Sequence, residues 1–297
     1  MIELNKIYNE DCLEGMKRIP DKSVDAIVTD PPYKYLKHKL DRDWNEDVIF
    51  DEWNRVLKDD GFIVIFGRGI PFYRWNVKLN ELGFNFKEEV IWDKKASSGP
   101  LLKLSRVHET ISLLSRTGSV RKVKVPYVEK NYFDIDLIVN DVKILKSALK
   151  NSRKLKEILY FLENNETIKH KQVNKHEISG HKKVGSDRSV SSIKSIEEGK
   201  NETSVITVKK EHYKFMHQTQ KPVRLMERLI NLVTEEGDTV LDSFSGSGST
   251  ALACKNLNRK FIAFEIDKEY FEIAQNRIKE RQSQISLFDE VSEIPTN

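Results

Sequence analysis

Cysteine is nearly absent from this chain. Cys12 and Cys254 are the only two in 297 residues. One pair so far apart builds neither a disulfide framework nor a zinc site, so a reducing, cytoplasmic setting is expected. Long apolar runs are missing as well. No stretch approaches the ~18 apolar residues that a membrane span needs. The opening residues, MIELNKIYNEDC, are polar and acidic, unlike a signal peptide. His170, His176, His181 and His212 lack metal-ligand spacing, so no metal is expected. No internal repeat is visible, and only eight prolines occur.

Net charge is small, at +4, but unevenly placed. Residues 116–216 hold 22 Lys and Arg against 13 Asp and Glu, a net of +9, and the remainder carries −5. A basic stretch inside an acidic body fits a polyanionic partner, because cations that neutralise phosphates release counterions. A solvated, lysine-rich surface explains the same numbers. At this length a chain buries roughly 75% of its unfolded surface, enough for one large domain or two.

Short apolar runs alternate with helical patterns up to about residue 115. Strands are expected at 26–28, 62–66, 89–92 and 110–114. Helices are expected at 48–57, with Phe50, Trp53, Val56 and Leu57 on one face, and at 73–82. Gly61 and Gly83 suit the two helix ends. Residues 144–162 carry leucines near helical spacing, and a polar run follows to about residue 201. The alternation returns from about residue 217. A helix opens at Pro222 and ends near Gly237. A strand at 239–241, a helix at 250–257, a strand at 260–264 and a helix from 268 follow, and the tail beyond 287 has no pattern. Such alternation indicates a parallel sheet covered on both faces by helices.

Two stretches carry chemistry. In "TVLDSFSGSGSTALACKNLNRKFIAFEID" a strand runs into Gly246-Ser247-Gly248-Ser249-Thr250-Ala251 and then a helix. That is G-x-G-x-x-A in the setting such a turn requires, where glycine admits a ligand close to the backbone. Glu265 ends the next strand, nineteen residues after Gly246, where a carboxylate accepts hydrogen bonds from ribose hydroxyls. Lysine does not follow the second glycine, which excludes a P-loop. A dehydrogenase would show the same unit.

The other stretch is "VDAIVTDPPYKY". Pro31 and Pro32 fix their own φ angles and hold the preceding residues extended, and neither offers an N–H. The loop therefore presents a carboxylate (Asp30), free carbonyls and an aromatic ring (Tyr33) at the carboxyl edge of the sheet. Acceptors beside a stacking ring suit a planar group with an amino substituent, such as a nucleobase flipped out of its helix. Alone, PPY is also an ordinary proline turn.

Asp30-Pro31-Pro32-Tyr33 followed by Asp242-Ser243-Phe244-Ser245-Gly246-Ser247-Gly248 resembles the β group of the amino DNA methyltransferases that use S-adenosylmethionine. The resemblance covers roughly residues 2–115 and 212–282. It implies an α/β fold: a Rossmann-like doubly wound methyltransferase sheet, mostly parallel, with an inserted target-recognition region. The implied division is a catalytic half (1–115), an insert (116–211), a cofactor half (212–285) and a tail (286–297). It further implies that Asp30 and the Pro31 carbonyl accept from the target amine, with Pro32 stiffening the loop and Tyr33 stacking on the base. Asp242, Phe244, Gly246 and Gly248 would surround the cofactor. Glu265 would take its ribose, and Asp11 would lie near its adenine. His217-Gln218-Thr219-Gln220-Lys221-Pro222 resembles the family's HPTQKP segment, which places Thr219, Lys221 and Pro222 at the cofactor's methionine end, Lys221 suiting its carboxylate.

Gln218 and Ser243 stand where the family usually has proline. His108-Glu109 resembles a pair that the family often carries and reads equally well as a structural pair. Aspartate at the first motif position mostly accompanies adenine, so N6 of adenine is the expected target, with N4 of cytosine or an RNA base as alternatives. Arg121, Lys122, Lys124, Lys182, Lys183 and Arg188 are candidate DNA contacts. Duplex DNA is the expected partner. A homodimer and a cognate restriction endonuclease are compatible with the family, and neither a membrane nor a metal is called for.

Overall fold

The computed structural model describes residues 2–33, 42–98, 103–130, 135–149, 188–209 and 220–292. The chain forms two compact units, residues 1–121 with 203–297, and residues 122–202.

The larger unit is built on a sheet of eight strands, numbered along the chain with the smaller unit's two included. They are β1 (Lys6–Tyr8), β2 (Val24–Thr29), β3 (Leu57–Gly67), β4 (Asn85–Ser98), β5 (Arg106–Ser115), β8 (Val205–Thr207), β9 (Thr239–Asp242) and β10 (Lys260–Phe264). Their order is β1-β10-β9-β2-β3-β5-β4-β8. Pairing is parallel except at β5, which runs antiparallel to both β3 and β4. The mostly parallel α/β sheet expected from the alternation is thus present.

The buried apolar runs explain the centre. Ala26, Ile27 and Val28 of β2 and Ile63, Val64 and Ile65 of β3 are all fully buried, as strands covered on both faces must be. Side chains of this size contribute roughly 1.5–3 kcal/mol each on burial. Helix Glu46–Val56 starts at Asn45, whose side chain accepts from Val48 N at 3.3 Å, and it buries Ile49, Phe50, Trp53 and Val56. Helix Gly69–Glu81 buries Phe72, Trp75 and Leu79 and ends before Gly83, which has φ +89°.

Some element ends differ from the sequence pattern. Leu57 and Lys58–Gly61 belong to β3, not to a helix end. Gly61 serves the sheet instead: a Cβ there would lie 2.8 Å from the Asp25 carbonyl on the neighbouring strand. β4 and β5 run well beyond their apolar centres. They pair antiparallel, and their outer residues are mostly exposed or half-buried, so no apolar run marks them. β1 and β8 have three residues each and bury one apiece, Ile7 and Ile206, too little for a pattern. The last helix runs Lys268–Ser292.

In the smaller unit, β6 (Lys124–Val125) pairs antiparallel with β7 (Lys200–Asn201). Helices span Tyr127–Lys130, Ile135–Leu149 and Arg188–Glu198. The expected helix at 144–162 therefore starts earlier, and residues 150–162 lie outside the described residues. Lys130 pairs with the buried Glu202 at 2.6 Å. Asp141 accepts from Tyr127 at 2.8 Å and from Lys200 at 3.4 Å.

Candidate active site

β1, β10, β9 and β2 are parallel neighbours, so the residues after their carboxyl ends share one edge. Asp11 follows β1, Glu265 follows β10, Asp242 ends β9 and Asp30 follows β2. β9 and β2 also form the point where the connections diverge. From β9 the chain moves to β10 on one side, and from β2 to β3 on the other. Open α/β sheets bind ligands at such a point. A cavity of 360 Å³ opens there, walled by Asp11, Asp30, Pro31, Pro32, Tyr33, Lys221, Asp242, Phe244, Gly246 and Glu265, among others.

One end of the cavity holds the glycine loop. Gly246 N–H donates to Glu265 Oε2 at 2.7 Å, and Asp267 N–H donates to Oε1 at 2.8 Å. Burial raises the Glu265 pKa, with those two N–H groups pulling the other way. Asp242 is buried and accepts from the Thr29 hydroxyl at 2.8 Å and from Phe244 N–H at 3.1 Å. Its burial pushes the pKa up to about 6. Asp11 caps the helix Cys12–Met16 by accepting from Leu13 N–H at 2.8 Å. Arg277, on the last helix, reaches the loop from behind, donating to Ser247 Oγ at 3.0 Å and Ser249 Oγ at 3.2 Å. Ser245 Oγ is buried at the cavity wall with no hydrogen-bond partner among the described residues.

The other end holds the proline loop. Tyr33 donates its hydroxyl to Asp30 Oδ1, and Lys221 Nζ donates to Asp30 Oδ2. Lys221 Nζ also lies 3.2 Å from Glu109 Oε2 and 4.9 Å from the centre of the Phe66 ring. Glu109 Oε1 in turn faces Lys94 Nζ at 3.4 Å. Two carboxylates and two ammoniums thus alternate in one buried row. Burial raises the Asp30 pKa against the pull of Lys221. For Lys221, burial works downward, but Asp30 and Glu109 outweigh it and hold the ammonium charged. For Glu109, burial works upward, and Lys221 and Lys94 outweigh it, so the carboxylate stays ionised.

An aromatic wall joins the two ends. The Tyr33 ring lies 6.1 Å from Trp75, and Trp44 lies 5.4 Å from Trp75 and 5.3 Å from Phe244. Trp44 Nε1–H donates to the Pro32 carbonyl at 3.0 Å, which ties the proline loop to this wall. Trp53 Nε1–H donates to Ser243 Oγ at 2.9 Å, a hydroxyl a proline there would lack.

Other expected residues sit differently. Gly248 and Pro222 are not in the cavity wall. Gly248 has φ +76°, and a Cβ on it would meet Ala274 Cβ at 2.9 Å, so it serves helix packing. Pro222 precedes the helix Val223–Val233. Lys221 turns its ammonium to Asp30 rather than to the glycine loop. Arg121 is tied to the backbone of helix Val223–Val233 and its end, donating to the Asn231 carbonyl at 3.2 Å and to the Thr234 carbonyl. Lys124 pairs with Glu198 at 3.6 Å, and Lys122 is exposed. Arg188 opens the helix Arg188–Glu198. Thr219, Lys182 and Lys183 lie outside the described residues, as do His217, Gln218, His170, His176, His181 and His212.

Sequence reasoning missed Trp44 and Lys94 and left Glu109 undecided. His108 is exposed while Glu109 enters the site, so the two part company. The signal was strand alternation: neighbours on β5 face opposite sides. Neither cysteine suits nucleophilic chemistry. Both are buried, and burial pushes the Cys12 thiol to about 12 and the Cys254 thiol up likewise.

The DNA methylase family matches residues 24–276. The chain is 28% identical to the Type II methyltransferase M.BglII of Bacillus subtilis, over 91% of this chain and 68% of that protein. It is equally identical to the Type II methyltransferase M.HinfI of Haemophilus influenzae, over 93% and 69%. Among solved structures, an M1.HpyAVI–SAM complex superposes with a TM-score of 0.53 at 24% identity, over 92% of this chain and 98% of that one. The cytosine-N4-specific PvuII DNA methyltransferase gives 0.56 at 17% identity, over 93% and 86%.

Proposed function

This chain belongs to the DNA methylase family, and from that premise we propose that it moves a methyl group from S-adenosylmethionine to the N6 amino group of an adenine flipped out of duplex DNA. One observation carries the reading. Asp30 and Tyr33 open into the same 360 Å³ cavity as Asp242, the glycine loop and Glu265. An amine acceptor and a nucleoside cradle therefore share a space.

The residues present fit the cofactor. The volume lies in the ~300–1,000 Å³ range of small-molecule sites. Glu265 and Asp11 offer carboxylates to a ribose and an adenine, Phe244 offers an apolar face, and Ser245 Oγ is a buried hydroxyl in want of a partner. S-adenosylmethionine supplies an electrophilic methyl group, so no covalent enzyme intermediate is required.

The chain's own work is positioning. Tyr33 supplies a stacking face, and the Pro31 and Pro32 rings keep it fixed beside Asp30. Asp30 accepts a hydrogen bond from the target amine and so aims the nitrogen lone pair at the methyl carbon. As the N–C bond forms and the S–C bond breaks, the amine gives up one proton. Asp30 is the acceptor that this loop offers. Trp44 and Phe244 give the space between the two ends an apolar wall, with Trp75 buried behind it.

A polyanion partner accords with the basic stretch 116–216, within which Lys122 is exposed. Among the described residues no helix is long and apolar enough to cross a membrane. In this reading the protein works in the cytoplasm, where Cys12 and Cys254 stay reduced. A cognate restriction endonuclease and a homodimer belong to the same reading; M.BglII and M.HinfI are Type II methyltransferases.

The test is direct. Unmethylated duplex DNA of mixed sequence is incubated with the protein and S-adenosylmethionine bearing a labelled methyl group, then digested to nucleosides. Label on N6-methyladenine is the expected result. Label on N4-methylcytosine keeps the mechanism and overturns the base. No label on DNA, with label on an RNA base, overturns the substrate.

A further inference from the structure

The buried charge row does more than balance itself. Lys221 Nζ occupies the Asp30 oxygen that a target amine would need. An ammonium is a stronger donor than the amino group of a neutral base. That oxygen can accept twice, but with the ammonium on it the base meets a weakened acceptor, and it gains the full acceptor when Lys221 has another seat. Glu109 provides one. Its Oε2 is buried, makes no well-aligned hydrogen bond to the described residues, and stands 3.2 Å from Lys221 Nζ.

Resting on the reading of Asp30 as the amine acceptor, we propose that Lys221 is a two-position lysine and Glu109 its second seat. Lys221 holds Asp30 in place while the target pocket is empty, and it passes its hydrogen bond to Glu109 when the amine arrives. Both are positioning residues, because they act through Asp30. Lys94 anchors Glu109 from its far side at 3.4 Å, so the seat does not follow the lysine. The Phe66 ring lies 4.9 Å from the Lys221 ammonium and favours its staying charged beside Asp30 and Glu109.

The neighbours favour exchange over departure of the lysine. Asp30 is faced by Lys221 from the segment before helix Val223–Val233, by Glu109 from β5, by Asp242 from the end of β9 and by Tyr33 from its own loop. Asp30 would be left among the carboxylates of Glu109 and Asp242 without a cation of its own if Lys221 left the group altogether, since Lys94 pairs with Glu109. Sliding between Asp30 and Glu109 moves the hydrogen bond without removing the charge.

The experiment compares kcat and KM for DNA across pH in the wild type, Glu109→Gln and Lys221→Met. The acid limb of kcat/KM reports the ionisation of Asp30. Glu109→Gln removes a negative neighbour and leaves Lys221 on Asp30. Its acid limb should move to lower pH by about one unit, and its KM for DNA should rise about tenfold. Lys221→Met removes the positive neighbour, and its acid limb should move about one unit to higher pH. Affinity for S-adenosylmethionine, measured by titration calorimetry, should stay within about twofold in both. Should Glu109→Gln fail to fold, Lys94→Met takes its place. There Glu109 draws Lys221 more strongly, and the limb should move upward.

Profiles that stay put, or that shift the same way in Glu109→Gln and Lys221→Met, overturn the exchange. So does a tenfold loss of cofactor affinity in Lys221→Met with an unmoved profile, because Lys221 would then serve the cofactor. A wild type that methylates no amino group fails at an earlier step, and it overturns the reading of Asp30 together with the exchange.

Discussion

Gly246 N–H donates to Glu265 Oε2 at 2.7 Å, which fastens the glycine loop to the end of the next strand. The same carboxylate takes Asp267 N–H at 2.8 Å. Glu265 therefore shapes the loop as well as facing the cavity. Hydrogen bonds to charged groups are worth roughly 1.5–3 kcal/mol each, so Glu265→Ala should weaken S-adenosylmethionine binding at least tenfold. Titration calorimetry on the purified variant measures it. Unchanged affinity would remove Glu265 from the cofactor site.

Asp30→Ala separates binding from chemistry. Asp30 lies at the target end of the cavity, while the glycine loop and Glu265 lie at the other. Methyl transfer should fall by roughly 10²–10⁴-fold, the range for losing a positioned acid–base group. Cofactor affinity should change little. A filter assay with labelled methyl groups and a parallel binding titration decide it, and retained turnover would sink the assignment of Asp30.

Tyr33 has two tasks that two substitutions pull apart. Its ring faces the cavity near Trp75, and its hydroxyl donates to Asp30 Oδ1. Tyr33→Phe keeps the ring and loses a bond to a carboxylate, so kcat/KM should drop about tenfold. Tyr33→Ala loses both and should drop about a hundredfold, since stacking on a flipped base is worth roughly 1–3 kcal/mol. Equal activities in the two variants would leave the ring with no role.

Asp242 makes stability depend on pH. Burial lifts its folded pKa to about 6, above the ordinary aspartate value of 3.8. Between those values the folded chain holds a proton that the unfolded chain has released. Stability from this group is full below the ordinary value and declines as pH rises through about 6, by on the order of 3 kcal/mol. Asp242→Asn removes the titration. The melting temperature of the variant minus that of the wild type should climb from pH 4 to pH 6.5 and level off above pH 7. A flat difference would place Asp242 outside the buried environment described.

How much of this was readable beforehand depends on distance along the chain. The strand Lys260–Phe264 and the helix beginning at Lys268 carry their own apolar patterns and were legible to the residue. Asp30, Asp242 and Glu265 were legible because each follows a strand end that local sequence marks. Lys58–Gly61 misled, because glycine closes helices and also lets strands approach, and only the Asp25 carbonyl 2.8 Å from its would-be Cβ decides between them. The row Asp30–Lys221–Glu109–Lys94 was not legible. Asp30, Glu109 and Lys94 lie on or next to strands that the order β2-β3-β5-β4 brings together, Lys221 comes from the segment before helix Val223–Val233, and no local pattern encodes that meeting. Trp44 stayed hidden for the same reason, since its task is to reach Pro32 and Phe244 across the site.

Gly248 is the last position where a single atom decides. Its φ of +76° costs a residue with a Cβ roughly 1–2 kcal/mol. That Cβ would also stand 2.9 Å from Ala274 Cβ on the last helix and 3.3 Å from Ile7 on β1. Overpacking of this kind costs roughly 1–3 kcal/mol more. Gly248→Ala should therefore destabilise the fold by about 2–5 kcal/mol in urea unfolding. Adding Ala274→Gly opens the space opposite, at roughly 1 kcal/mol of its own in a helix interior. Corrected for that single substitution, the pair should recover the clash and leave the backbone strain. A double-mutant cycle reads the coupling directly. Additive effects would mean that the last helix moves aside freely, and Gly248 would then be required by the turn alone.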